Sequence, residues 1–107
     1  MDERAFDTLA DRTLQHLFAQ IDAELADVAD VDLRGGILTI ALEDGRQYVI
    51  NKHAPNRQIW MSSPVSGASH YEHDPASGAW RSTRGGDPLI PRLARELAEL
   101  TGTAIAL

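Results

Sequence analysis

Between residues 31 and 82 the chain is interrupted at short intervals by residues that favour turns. Gly35-Gly36, Asp44-Gly45, Ala54-Pro55-Asn56, Pro64 and the run Asp74-Pro75-Ala76-Ser77-Gly78 divide it into brief segments. Val31–Arg34, Ile37–Glu43, Arg46–Lys52, Arg57–Ser63, Ser69–His73 and Ala79–Ser82 each read as a strand. None of the connections is long enough for the crossover that parallel pairing requires, so consecutive strands pair antiparallel as a meander. Asp44-Gly45 reads as a two-residue hairpin turn, since both positions tolerate positive φ.

Helical periodicity flanks this stretch on both sides. Phe6, Leu9, Ala10, Leu14, Leu17, Phe18, Ile21 and Leu25 recur at i, i+3 and i+4, which predicts an amphipathic helix. Asp2 can cap its start, and Glu3 sits in the first turn, where the helix dipole favours negative charge. Glu24 falls near the middle of the apolar face, so the helix is expected to end or change register around residues 23–27. A second helix follows Gly85-Gly86, with Asp87 as N-cap and Pro88 as first helical residue. Leu89, Leu93, Leu97 and Leu100 supply its stripe, Gly102 closes it, and the tail from Thr103 to Leu107 packs down. Two helices set apart from a run of strands define an α+β two-layer sandwich, helices on one face of the sheet and the other face free. With 107 residues and no linker-like stretch, residues 1–107 form one domain.

Charge narrows the function. The chain carries 16 acids and 10 bases, a net charge of −6. Residues 1–44 hold eleven acids and three arginines, net −8, and residues 45–107 hold five acids and seven bases, net +2. A negative field argues against nucleic acid and anionic membranes as partners and leaves cations and basic protein surfaces. There is no cysteine, so disulfides, thiolate metal sites and cysteine nucleophiles are excluded. A polar, acidic start and the lack of a long apolar run make a cytoplasmic location the expectation. No nucleophile elbow, phosphate-cradling loop or paired-histidine helix motif is present.

One stretch is distinctive: Val49-Ile50-Asn51-Lys52-His53-Ala54-Pro55-Asn56-Arg57-Gln58-Ile59-Trp60-Met61-Ser62. It resembles the signature of the frataxin family, bacterial CyaY branch. Phe6-x-x-Leu9-Ala10-Asp11 resembles that family's first helix. Asp30-Val31-Asp32 through Gly35-Gly36-Ile37-Leu38-Thr39-Ile40 resembles its first hairpin, and Trp80-Arg81-Ser82-Thr83-Arg84-Gly85-Gly86 its last strand and turn. The resemblance runs through nearly the whole chain in order. It implies a non-catalytic role in iron–sulfur cluster assembly. Iron, as Fe2+ or Fe3+, would be bound weakly on an acidic ridge, and the protein would dock on the cysteine desulfurase and the scaffold protein. It implies a monomer in the absence of iron.

The ridge is assigned to Asp22, Glu24, Asp27, Asp30 and Asp32. Asp30 and Asp32 alternate on a strand and share a face, and the other three lead into it from the helix end. These acids are spaced out, where bacterial members of the family carry adjacent pairs. Oxygen-only ligands suit hard cations, held loosely and at several places. The same field attracts a basic protein surface. Strand alternation puts Trp60 outward with Gln58 and Ser62, and an outward tryptophan is a typical interface anchor. The resemblance makes Trp60, with Asn51 and Gln58, the partner contact. Asn51 reads equally as a turn-capping side chain. His70 and Glu72 share a strand face and read as ordinary sheet surface, His53 as a loop residue, and Trp80 as structural. Two rival readings use the same acids: a ferroxidase or iron-storage protein, and an acidic interaction module with no metal role.

Overall fold

The computed structural model describes residues 1–107. Helix α1 (Glu3–Leu25) is followed by strands β1 (Ala29–Arg34), β2 (Ile37–Leu42), β3 (Gln47–His53), β4 (Gln58–Ser63), β5 (Gly67–His73) and β6 (Trp80–Ser82), then helix α2 (Leu89–Thr101). A single 3-10 turn, Ala54–Asn56, joins β3 to β4. The six strands form one sheet in the order β1-β2-β3-β4-β5-β6, every neighbouring pair antiparallel. This is the meander that the turn residues dictate, in an α+β two-layer sandwich.

Alternation decides the two faces of the sheet. Leu38, Ile40, Leu42, Tyr48, Ile50, Ile59, Met61 and Tyr71 point inward, where they meet Phe6, Leu14, Leu17 and Ile21 of α1 and Leu89, Leu93 and Leu97 of α2. These residues belong to one continuous apolar cluster, so both helices cover the same face. Each fully buried side chain of this size contributes roughly 1.5–3 kcal/mol. Trp80 belongs to the same core. Its ring meets Phe6 edge-on with centroids 6.1 Å apart, and its Nε1 donates to Thr13 Oγ1 at 3.0 Å. Ile105 and Leu107 of the tail pack against the cluster.

Local chemistry departs from expectation at two ends. The β2–β3 connection is a three-residue loop, Glu43-Asp44-Gly45, because only Gly45 takes positive φ (+90°) and Leu42 pairs with Arg46. Asp44 accepts from Arg46 N and Nε, which holds it in the type I position and not in a left-handed one. At α2 the helix begins one residue later than expected, with Pro88 in the cap position and no side-chain cap. Asp87 is drawn away by an ion pair with Arg95. Asp2 does cap α1, accepting from Ala5 N at 2.8 Å.

The two layers are also joined by polar contacts. Lys52 leaves the inner face of β3, crosses beneath Gly36 and reaches Asp11 Oδ1 at 2.9 Å and Asp7 Oδ1 at 3.7 Å on α1. Gly36 (φ +77°) is required there, since a Cβ would lie 2.8 Å from Lys52 Cε. The hydrogen bond to Asp11 raises the Lys52 ammonium above its ordinary pKa.

Candidate functional site

The outward face of the sheet is built by register. Arg34, Ile37, Asn51, Trp60 and His70 lie in one row across β1 to β5, and His53, Gln58, Glu72 and Arg81 in the next row across β3 to β6. Trp60 is outward, as alternation predicts, yet only half exposed. The His53 ring stacks on one face of its indole with centroids 3.7 Å apart and planes 8° from parallel. The His70 ring stacks on the other at 4.2 Å and 11°. Trp60 Nε1 donates to Gln58 Oε1 at 2.8 Å, which satisfies its polar edge. The indole is therefore held on both faces and along one edge. An aromatic side chain held this way loses little freedom when a partner covers it.

Asn51 sits directly opposite Trp60 and donates from Nδ2 to the Lys52 carbonyl at 3.2 Å. Ile37, in the same row, is 46% exposed and adds apolar area beside the aromatic centre. His53 is the last residue of β3 and not a loop residue, and His70 is more than sheet surface. Both belong to the Trp60 cluster. Neither was found by alternation, which sorts faces but does not say which outward residues are neighbours.

The acidic ridge lies at the β1 edge. Asp30 and Asp32 are exposed on the outward face, Asp22 and Glu24 are exposed near the end of α1, and Asp27 is exposed in the turn between them. Asp32 pairs with Arg34 at 3.1 Å, an exposed contact worth little. Glu24 is turned out of the core, and its carboxylate accepts from Ala106 N at 3.1 Å, which ties the C-terminal tail to α1. Asp22, Asp27 and Asp30 have no cationic partner, unlike Asp7 and Asp11, which Lys52 holds. No three His, Asp or Glu side chains gather into a group that could enclose a metal ion. The arrangement can attract cations and basic groups through its field, with water between, and it offers no closed coordination sphere.

A buried carboxylate escaped the reading of the sequence. Glu96 of α2 is 2% exposed, and its Oε1 accepts from Tyr48 Oη at 2.7 Å and Ser63 Oγ at 2.5 Å. Burial pushes this carboxyl up, but the hydroxyls of Ser63, Ser66 and Tyr48, with the charge of Arg92, more than offset it, and it ends below the usual carboxylate range. The Tyr48 phenol is driven well above its ordinary value, first by burial and then by the facing carboxylate. Ser63 Oγ also accepts from the backbone N–H groups of Val65 and Ser66, so the cluster fixes the β4–β5 turn. The spacing held the signal, since Glu96 follows Leu93 by three and Leu89 by seven on the apolar stripe.

Comparison with known proteins bears on this arrangement. Residues 1–103 match the family model described as a frataxin-like domain. The chain is 35% identical over 102 residues to the iron-sulfur cluster assembly protein CyaY of Pseudomonas aeruginosa, covering 95% of this chain and 93% of that one. It is similar in structure to the frataxin of Psychromonas ingrahamii, with a TM-score of 0.86, 27% identity, and coverage of 98% and 96%. It is also similar to the trimeric frataxin of Saccharomyces cerevisiae complexed with ferrous iron, with a TM-score of 0.77, 34% identity, and coverage of 89% and 87%. The chain spans about two fifths to three fifths of the length of the mitochondrial relatives it matches.

Proposed function

This chain belongs to the frataxin family, known for iron–sulfur cluster assembly, and on that premise we propose that it acts there as a non-catalytic, iron-responsive adaptor. Iron is held weakly at the ridge of Asp22, Glu24, Asp27, Asp30 and Asp32. The same ridge docks on a basic patch of the cysteine desulfurase and its scaffold protein. Trp60, Asn51 and Gln58 extend the contact over the outward sheet face. A reducing, cytoplasmic compartment suits a cysteine-free chain whose cargo is iron.

The observation that carries this reading is the shared face. Asp30 and Asp32 on β1 and the clamped Trp60 on β4 look out from the same side of one sheet. Three strand spacings, roughly 14 Å, separate the two strands, and Asp32 and Asp30 lie two and four residues along β1 from the Trp60 row, roughly 16–20 Å from it in all, within one ordinary protein–protein interface. Charge at one end would steer a basic partner, and the aromatic centre would set how long it stays. Ligand chemistry supports loose binding, because exposed oxygen ligands hold iron without enclosing it.

The test is binding to the purified desulfurase. The D22N/D27N/D30N/D32N variant is expected to bind at least tenfold more weakly at low salt, and W60R by a similar factor. Unchanged binding by the first removes the ridge from the interface, and unchanged binding by the second removes the sheet face. Manganese added during NMR should broaden residues 22–32 together. If it broadens none of them, the ridge is an acidic docking surface without a metal role. Oxidation of Fe2+ faster than in buffer would point instead to a ferroxidase.

A further inference from the structure

At the opposite end of the sheet, the turn after β6 and the first turn of α2 bring two arginines together. Strand β6 is only three residues long and pairs with Tyr71, Glu72 and His73, so β5 runs on past it from Gly67 to His70. Where β6 stops, the chain turns away toward α2 and leaves an open cavity of about 320 Å³. Ser66, Ser69, His70, Ser82, Arg84 and Arg92 line it, and no acidic side chain does. Only one lining residue is apolar, so the cavity is made for a polar occupant and not for a hydrophobic anchor.

Its two arginines make no direct ion pair, although the charge of Arg92 is felt by Asp87 and Glu96. Neither Arg84 nor Arg92 takes part in an ion pair, although Arg34, Arg46, Arg81 and Arg95 all do. Arg92 Nε is buried with no hydrogen-bond partner. Gly86, at φ +90°, makes room for this guanidinium, since a Cβ there would fall 2.9 Å from Arg92 Nη2. The two acids that feel the charge of Arg92 each hold closer partners, Asp87 the Arg95 guanidinium and Glu96 the hydroxyls of Tyr48 and Ser63. Hydroxyls complete the lining. Ser82 Oγ accepts from Arg84 N and keeps its proton to donate, and Ser69 Oγ shares one hydrogen bond with Tyr71 Oη.

Two guanidinium forks beside the Ser82 hydroxyl are a donor set suited to a tetrahedral oxyanion. We propose that this cavity binds a phosphate group, either free phosphate or a small phosphate monoester, between Arg84 and Arg92. The volume stands at the lower end of small-ligand sites, roughly 300–1,000 Å³, which fits one phosphate with a small substituent. The site is independent of the ridge and of its iron. It is linked to the docking face by His70, whose residue lines the cavity while its ring stacks on Trp60.

The experiment is an NMR titration of the intact chain with inorganic phosphate, at constant ionic strength kept with chloride, and in parallel with glycerol phosphate. Saturable shifts are expected at the amides of Ser69, His70 and Ser82 and at the Nε–H groups of Arg84 and Arg92. R84Q is expected to weaken binding at least fivefold, and R84Q/R92Q to abolish it. Arg84 is exposed, so R84Q keeps the test valid even if the R92Q change disturbs the fold. Tighter binding of the ester assigns a monoester as ligand, and equal or weaker binding assigns free phosphate. Shifts no larger than with chloride, or undiminished binding by folded R84Q, would overturn the proposal.

Discussion

The same carboxylate group does opposite work in two regions of this molecule. At the β1 edge Asp22, Asp27 and Asp30 stand in water with no cationic partner. Beneath the sheet Glu96 is closed off and held by two hydroxyls. A buried acceptor with satisfied bonds stabilises the fold and is unavailable to ligands. An exposed one adds little to stability and remains free to meet a cation or a basic surface. Burial therefore separates the structural carboxylate from the candidate functional ones.

The largest effect should come from breaking the buried side of that contrast. Glu96→Ala strands the hydroxyls of Tyr48 and Ser63 and should cost about 2–4 kcal/mol in urea unfolding. Tyr48→Phe removes one donor and should cost about 1–2 kcal/mol. Both groups also leave a mark on the pH dependence of stability. The Glu96 carboxyl is lowered in the fold, so its contribution is complete above the unfolded value of about 4.3 and is lost as pH falls through the folded value. The Tyr48 phenol is raised, so its contribution is complete below about pH 10 and is lost as pH rises through the folded value. Glu96→Gln should flatten the acid limb and Tyr48→Phe the alkaline limb, read as denaturation midpoints against pH. The smallest stability change should follow neutralisation of Asp22, Asp27, Asp30 and Asp32. It should stay under about 1 kcal/mol, because exposed substitutions rarely exceed a few tenths each. A loss as large as that of Glu96→Ala would erase the distinction between the two regions.

Much of the placement of the candidate site residues is legible in the sequence. Alternation in Gln58-Ile59-Trp60-Met61-Ser62 put Trp60 outside, and it is outside, with Gln58 on its indole nitrogen. The spacing of Asp30 and Asp32 put both on one strand face, and both are exposed there. Glu24 was harder. Helical geometry carried it toward the core, and the end of α1 at Leu25 with the Ala106 N–H beside it turned it out. The histidines were harder still. His53, Trp60 and His70 come from three strands, and their stacking depends on the register that two separate connections impose.

By itself the sequence determined the order of elements, the antiparallel meander, the two faces of the sheet and the concentration of acids in the first 44 residues. Those properties follow from local periodicity, turn chemistry and counting, which act over a few residues. Only the tertiary structure decided which side chains meet. It closed Glu96 under Tyr48, sent Lys52 to Asp11, clamped Trp60 between two imidazoles and left Arg84 and Arg92 facing an open cavity. Such contacts are set by strand register and by how the helix layer settles on the sheet. Residues distant in the chain become neighbours only when the whole core has packed.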